Sequence, residues 1–344
     1  MVHTLHCTDL FRPHEDPDDH FDLACQFALA GLGRHKLEGV IIDYPPQHDA
    51  ESDPDIEAVA QLNYITGLNV PVSVGANPGD KSAAGVSALL KALAQAPDRL
   101  CIHIVGSCRD IALAIESAPE LFAEKCAGIY LNAGSGRDEG RLEYNVALDP
   151  QAYARVFDAP CPVYWMPCFD SVPDFANGGV MRVGKHGTYY RFTMGDALNH
   201  IDSRLQNYFL NMLARSTDTR WLKAIERDVD AEALLRFSAK PRNMWCTAGF
   251  LHAVGLSVDR DGGIIPLGKA PDQEVFGFLP VRISCSDTGR LEWQECPSGD
   301  RFIFTVNDID RYQPAMTAAL VWLLRHADKS TAAQCSRSEP HGTV

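Results

Sequence analysis

Short apolar runs alternate with helical patterns through the first half of the chain, and no other feature constrains the fold as strongly. The sequence predicts strands in the apolar runs at 37–43, 71–75, 100–105, 127–131 and 163–166. Near-continuous apolar strands separated by amphipathic helices are typical of a parallel sheet that is covered by helices on both faces. In such a sheet, ligands bind at the carboxyl ends of the strands. We therefore look for functional residues in the loops that follow the strands.

The loop after the first predicted strand carries the densest group of carboxylates. A run ending at His6-Cys7 is followed by the aspartates, and an amphipathic segment begins near Phe21; the aspartates are Asp9, Asp16, Asp18 and Asp19. Carboxylates this close repel one another unless a cation or a cationic substrate lies among them, so the pattern favours a metal site. A structural interpretation is also open, because Asp18 and Asp19 are good helix N-caps and a solvated loop accommodates Asp16.

The net charge and the cysteine content of the chain limit the kinds of molecule that it is expected to bind. The formal net charge is −14 and there is no long basic block, which argues against nucleic acid or an anionic membrane as the main partner and favours a small molecule. Eleven cysteines without CxxC pairs predict reduced thiols and a cytoplasmic protein. The N-terminus has no signal-peptide pattern, and no apolar run approaches the roughly 20 residues that span a bilayer.

The second half of the chain predicts a long loop and a different kind of sheet. Segment 173–190 is rich in glycine and lacks periodicity, so it is either a flap over the site, with Lys185, His186, Tyr189 and Tyr190 as candidate contacts, or an ordinary surface loop. Alternating runs at 277–284, 291–295 and 302–306 predict antiparallel strands, and 316–325 predicts a closing helix. We expect one domain over 1–328 and a disordered tail over 329–344.

Three segments occur in the order found in one enzyme family. Residues 7–24, CTDLFRPHEDPDDHFDLA, look like an expanded DxDxxxDD loop, and 106–114, GSCRDIALA, are similar to a GPLTNIALA element. The segment Glu143-Tyr144-Asn145, with Asp149-Pro150 behind it, is similar to an EFN…DP segment. With these motifs, the chain resembles the inosine-uridine nucleoside hydrolase family over most of residues 5–325. The resemblance implies a mainly parallel, Rossmann-like α/β sheet with a small antiparallel element near the C-terminus.

The resemblance also implies residue roles, a cofactor and an assembly. Asp18-Asp19 match the terminal acidic pair, Asp9 matches the second aspartate, and Cys7 stands where the first is expected. In the alternative register Asp16 takes the role of Asp9. The family pattern then implies a Ca²⁺ ion held by Asp9 (or Asp16 in the alternative register), by Asp19 and by the backbone carbonyl of Arg109. Asp9 would be the general base and Asp18, Glu143 and Asn145 would hold sugar hydroxyls. A homo-oligomer is implied as well.

The departures from the family pattern leave the activity open. The late His-Asp pair of the family is replaced by Asn243-Met244-Trp245-Cys246-Thr247, which contains no carboxylate, although Trp245 can stack on an aromatic ring. The acid that protonates the leaving group is not recognisable, and His186 and Tyr189 are candidates. The prediction is a Ca²⁺-dependent nucleoside ribohydrolase. Its alternatives are a nucleoside- or sugar-binding protein of the same fold that lacks hydrolysis, and a hydrolase of a different glycoside.

Two other enzyme classes are disfavoured by single positions. A phosphohydrolase with an aspartyl nucleophile needs a second Asp two residues after the first, and position 11 is Phe11. A dinucleotide-binding dehydrogenase needs GxGxxG after its first strand, and the chain has none there.

Overall fold

The predicted alternation of strands and helices builds one large sheet. The structure is a computed structural model that describes residues 1–13, 17–46, 52–78, 80, 83–137 and 140–327. The strands in this part of the chain are β1 (Val2–Thr8), β2 (Phe11–Arg12), β3 (His35–Ile42), β4 (Asp53–Pro54), β5 (Val72–Val74), β6 (Leu100–Ile104), β7 (Cys126–Leu131), β8 (Val163–Trp165), β9 (Tyr190–Thr193), β10 (Pro241–Met244), β11 (Leu256–Val258), β12 (Ile264–Pro266), β13 (Phe276–Cys285), β14 (Leu291–Glu295) and β15 (Arg301–Val306).

Helices connect most of these strands. Those in the described ranges are α1 (Asp18–Gly31), α2 (Ile56–Thr66), α3 (Ala84–Gln95), α4 (Arg109–Ser117), α5 (Pro119–Lys125), α6 (Tyr144–Leu148), α7 (Pro150–Val156), α8 (Met194–Leu198), α9 (Ser203–Leu213), α10 (Trp221–Ile225), α11 (Ala231–Ser238), α12 (Thr247–Ala253) and α13 (Ile309–Arg325). None of the described helices is both long and apolar enough to cross a membrane.

Within the described residues, the central sheet has the strand order β14-β13-β15-β8-β7-β6-β1-β3-β5. All pairs from β15 to β5 are parallel, whereas β13 pairs antiparallel with both β15 and β14. The predicted fold class, a mainly parallel α/β sheet with a small antiparallel element near the C-terminus, is therefore confirmed. The parallel part brings the carboxyl ends of seven strands to one edge, where the predicted acidic loop also lies.

Two apolar clusters pack on the sheet and fix its helices. One includes Phe21, Phe27, Leu62, Phe209 and Leu320, which come from α1, α2, α9 and α13. The other joins strand residues to α3, α4, α5 and α7. Buried aliphatic and aromatic side chains supply most of the stabilising free energy, at about 25 cal/mol per Å² of apolar surface. Helix α1 is thereby held rigidly behind the acidic loop.

The structure corrects several predicted boundaries. The closing helix begins at Ile309 rather than at 316, because the Asp308 side chain caps it by accepting a hydrogen bond from the Arg311 backbone N–H at 3.1 Å, and Pro314 lies inside it. Segment 173–190 is mostly irregular, as predicted, but Tyr190 already belongs to β9, which pairs with β10. Residues 329–344 lie outside the described residues, so the predicted disordered tail stays a prediction.

Candidate functional site

The loops at the carboxyl ends of the parallel strands enclose a cavity of about 1210 Å³. Asp9 follows β1, Asn132 follows β7, and both line this cavity. Six of the residues that the sequence singled out line it: Asp9, Asp18, Asp19, Glu143, Asn145 and Trp245. They come from three separate stretches of chain, so the parallel sheet assembles the site. The volume is sufficient for a small organic ligand, since such sites usually measure about 300–1,000 Å³.

The carboxyls of Asp9 and Asp19 form the most acidic point of the cavity. The negative charge of Asp19 acts directly on Asp9, and the Thr8 hydroxyl donates to Asp19 Oδ1 at 2.7 Å. Burial, together with the negative charge of Asp19 and of Asp43, raises the pKa of Asp9 well above its usual value. Burial and the neighbouring carboxylates therefore disfavour the ionised form of Asp9, and a positive charge at the pair would favour it.

Asp43 supports this pair from the neighbouring loop. Its side chain is buried, it follows β3, and its Oδ2 accepts a hydrogen bond from the Ser107 backbone N–H at 2.5 Å. Burial and then the charge of Asp110 raise the pKa of Asp43. Gly106 packs against both loops, because a Cβ placed there would collide with the Asp43 carboxylate and would lie 2.8 Å from the Asp9 backbone nitrogen. Only glycine fits between the two carboxylate loops.

Glu143 organises another part of the cavity lining. Its carboxylate accepts from the backbone N–H groups of Gly134 at 2.9 Å, Asn145 at 3.1 Å and Val146 at 3.4 Å, so it caps α6. Burial raises the pKa of Glu143, and these N–H groups oppose that shift. The cap fixes Asn145, whose buried Oδ1 has no hydrogen-bond partner among the described residues. An unpaired acceptor beside a cavity is a natural contact for a hydroxyl group.

An aromatic cluster contacts the site beyond the carboxylates. Trp245 and Phe169 line the cavity with their ring centroids 6.1 Å apart and nearly perpendicular planes. Tyr189 packs on Trp245 at 6.0 Å, and its hydroxyl donates to Asn243 Oδ1 at 3.2 Å. The cavity thus combines an acidic end with an aromatic wall, which suits a ligand with a polyhydroxylated part and a planar part.

Among the described residues, Arg109 and the flap candidates Lys185, His186, Tyr189 and Tyr190 were singled out from the sequence but do not line the cavity. Arg109 begins α4, and its side chain donates to Asp149 Oδ2 at 3.2 Å and to the Ala76 carbonyl at 3.2 Å. His186 is buried, with Nδ1 3.1 Å from the Phe304 carbonyl oxygen and its ring against Trp293. Asp16 lies outside the described residues. The side-chain hydrogen bonds of Arg109 leave its backbone carbonyl, the atom that the family pattern assigns to the ion, untested.

The structure adds lining residues that the sequence reasoning did not select. They are Asn132, Arg141, Cys168, Arg215 and Cys246, among others. Asn132 donates to the Met166 carbonyl at 2.7 Å and to Thr188 Oγ1 at 2.9 Å. Its position directly after β7 was a signal that could have identified it, because strand ends meet at the ligand-binding edge. Nothing in the sequence distinguishes the two cysteines, since their neighbours come from distant segments.

The carboxylate oxygens of Asp9 and Asp19 are the type of ligand that a hard cation prefers. Asp9, which is half-buried, and Asp19, which is buried, present carboxylate oxygens, and a positive charge beside them would lower the raised pKa of Asp9. Ca²⁺ takes such carboxylates together with carbonyl, water and ligand oxygens. Among the described residues, however, no group of three or more His, Cys, Asp and Glu side chains is placed to hold a metal ion. Two carboxylates are therefore the protein's acidic contribution in this part of the chain.

The fold and the site define the class of protein, an α/β enzyme with a carboxylate-lined small-molecule site at the carboxyl ends of parallel strands. The sequence profile of the inosine-uridine preferring nucleoside hydrolases matches residues 31–210. This is more than half of the chain, and the chain belongs to that family, whose members are glycosidases acting on N-glycosyl compounds. The resemblance inferred from the motifs is confirmed.

Solved structures show the same fold at low sequence identity. A plant nucleoside hydrolase is 16% identical with a TM-score of 0.52, covering 96% of this chain and 100% of its own. A purine-preferring ribonucleoside hydrolase from Gardnerella vaginalis is 15% identical with a TM-score of 0.50, covering 94% and 99%. The effector protein XOO4466 is 14% identical with a TM-score of 0.53, covering 95% and 93%. No curated protein matches the chain in sequence.

Proposed function

We propose that the protein hydrolyses the N-glycosidic bond of a nucleoside, with Asp9 as the general base. The observation that carries this proposal is that Asp9 and the buried Asp19 line a cavity that is also lined by the Trp245 and Phe169 rings. The acidic end suits the sugar, where positive charge develops as the bond breaks. The aromatic wall suits the leaving base.

The residues that line the cavity have different roles in this reaction. Asp18 and Asn145 bind sugar hydroxyls, and Asn145 does so through its unpaired Oδ1. Glu143 keeps Asn145 in place, and its remaining lone pair accepts from a further hydroxyl. Asp9 takes a proton from the water that attacks the anomeric carbon. Trp245 stacks on the leaving base and keeps bulk water away from it.

A cation at the carboxylate pair would make this chemistry faster. Asp9 and Asp19 would hold it, and in the other register Asp16 would take part. When bound, Ca²⁺ lowers the pKa of a water molecule and orients it and the sugar hydroxyls. The backbone carbonyl of Arg109 would be a further oxygen ligand, as the family pattern implies, and the side-chain hydrogen bonds of Arg109 leave that carbonyl untested. The Thr8–Asp19 hydrogen bond holds the carboxylate in position for the ion.

Release of free base from inosine and uridine, followed by chromatography, tests the proposal. Wild type should release base, and Asp9→Asn should lower kcat by about 10²–10⁴-fold, the usual contribution of a general base. Asp53→Asn is the matched control, because it removes an exposed carboxylate on β4 that does not line this cavity. Binding of the nucleoside without release of base would instead identify a binding protein. Turnover of other glycosides alone would identify a different hydrolase.

We propose a cytoplasmic homo-oligomer whose partner is the small-molecule substrate. The described cysteines are all free thiols, which fits a reducing compartment. Light scattering coupled to gel filtration measures the oligomeric state directly, and a single-chain mass of 37.8 kDa in that experiment would contradict the oligomer.

A further inference from the structure

Asn132 lines the cavity, but both sides of its side-chain amide are engaged with the protein. Its Nδ2 donates to the Met166 carbonyl at 2.7 Å and to Thr188 Oγ1 at 2.9 Å. Because a backbone carbonyl only accepts, the contact with Met166 fixes which side of the amide carries the nitrogen. Its Oδ1 accepts from the Cys246 thiol at 3.0 Å, and the Cys168 thiol lies 3.9 Å from the same oxygen. Asn132 therefore organises the cavity lining.

The backbone carbonyl of Asn132 holds the amide that is proposed to bind the sugar. Asn145 Nδ2 donates to the carbonyl oxygens of Asn132 and Val105, each at 3.5 Å. These two acceptors fix the nitrogen of the Asn145 side chain, and its Oδ1 has no hydrogen-bond partner among the described residues. This connection is made by the main chain of Asn132, so it does not depend on the Asn132 side chain.

The side-chain oxygen of Asn132 reaches the aromatic wall through Cys246. Cys246 is the N-cap residue of α12, but its side chain makes no capping hydrogen bond and donates to Asn132 instead. The residue before it is Trp245, whose Nε1 is buried and has no hydrogen-bond partner in the part of the chain that the structure describes. The indole is therefore placed by its ring contacts with Phe169 and Tyr189 and by the anchored residue beside it.

We propose that Asn132 is a positioning residue that sets the sugar-binding amide and the aromatic wall in their relative places. Its main-chain carbonyl locates Asn145, and its side-chain oxygen locates Trp245 through Cys246. This inference rests on the proposed function, because it uses the same sugar and base positions in the cavity. It gives Asn132 neither a contact with the substrate nor a part in proton transfer.

The two connections predict separate effects on the binding of the two reaction products. Cys246→Ala removes the donor to Asn132 and should raise the Kd of hypoxanthine and of uracil by about three- to tenfold, the usual effect of losing one hydrogen bond. The Kd of ribose should stay within about twofold of wild type, because the main-chain contact with Asn145 is kept. Cys246→Ser, which restores a donor, should return the affinity for the bases toward that of wild type.

Asn132→Leu tests the other partner of the same hydrogen bond. It removes the side-chain oxygen but keeps the carbonyl that holds Asn145, so it should weaken the binding of the bases and not that of ribose. The double variant Asn132→Leu/Cys246→Ala should bind the bases no more weakly than Asn132→Leu alone, because both changes break one contact. Isothermal titration calorimetry in the presence of Ca²⁺ measures each Kd.

Cys101→Ala is the matched control. It removes a buried thiol of β6 that does not line the cavity, so the Kd values of ribose and of both bases should equal those of wild type. Equal weakening of ribose and base binding in Cys246→Ala, or unchanged base binding, overturns the positioning role. Where Cys246→Ala is unfolded, Cys246→Val, which fills the volume of the thiol without a donor, decides the same comparison. A wild type that binds neither ribose nor a base contradicts the proposed function and this inference with it.

Discussion

Removal of the His6 imidazole should reduce the loss of unfolding free energy that occurs as the pH falls from 8 to 5. His6 lies in β1 opposite His103 of β6, both side chains are buried, and neither ring nitrogen of His6 has a hydrogen-bond partner in the described ranges. The Phe250 ring contacts both imidazoles, with centroids 5.6 Å from His6 and 5.1 Å from His103. Burial, with a smaller contribution from His35, lowers the pKa of His6 to about 3.

The magnitude follows from proton uptake by the unfolded chain. A group whose pKa is depressed on folding stabilises the protein above its unfolded pKa, and this contribution is lost as the pH falls. With an unfolded pKa of about 6.5 and about 1.36 kcal/mol per pKa unit, His6 loses about 2 kcal/mol between pH 8 and pH 5. The result is insensitive to the folded value, because at pH 5 the folded imidazole is still neutral.

Urea unfolding followed by tryptophan fluorescence at pH 8, 6.5 and 5 measures this loss in wild type and in His6→Leu. We subtract the unfolding free energy of wild type from that of His6→Leu. This difference should increase by about 2 kcal/mol between pH 8 and pH 5. The comparison is made between proteins because buried acids act in the opposite sense. The raised pKa values of Asp22 and Asp43 make them stabilise the folded chain as the pH falls.

The control is His200→Leu, which removes an exposed histidine at the end of α8 and should leave the pH dependence as in wild type. A difference between wild type and His6→Leu that is the same at all three pH values would refute the reasoning. It would mean that the folded protein protonates His6 as readily as the unfolded chain does.

Three further predictions concern the site. Gly106→Ala should lower the unfolding free energy by about 1–3 kcal/mol and abolish activity, because its Cβ collides with the Asp9 and Asp43 loops; wild-type stability in urea would contradict this. Glu143→Ala should cost about 1–3 kcal/mol, since three backbone N–H groups lose their acceptor, and a change below about 0.5 kcal/mol would exclude the capping role. Ca²⁺ added after chelation should raise Tm by several degrees in wild type but not in Asp19→Asn; equal shifts would place the ion elsewhere.

Local signals in the sequence were sufficient for the scaffold. The apolar runs predict the parallel strands to within a few residues, and Asp149-Pro150 predicts the start of α7, where Asp149 caps the helix by accepting from the Ala152 N–H at 3.1 Å. Helices without such signals could not be predicted from the sequence. Helix α11 was not predicted, and Pro314 obscured the beginning of α13, because an internal proline is ordinarily read as a boundary.

The sequence by itself determined the fold class and the stretches that supply the site, because hydrophobic period, helix caps and carboxylate-rich loops are properties of neighbouring residues. Only the tertiary structure decided which side chains meet. It paired Asp9 with Asp19 and engaged the Arg109 and His186 side chains elsewhere. It also brought the thiol of Cys246 to 3.0 Å from Asn132 Oδ1, 114 positions away in the sequence. Such contacts depend on how strands are ordered in the sheet and how helices pack upon it, which no local pattern encodes.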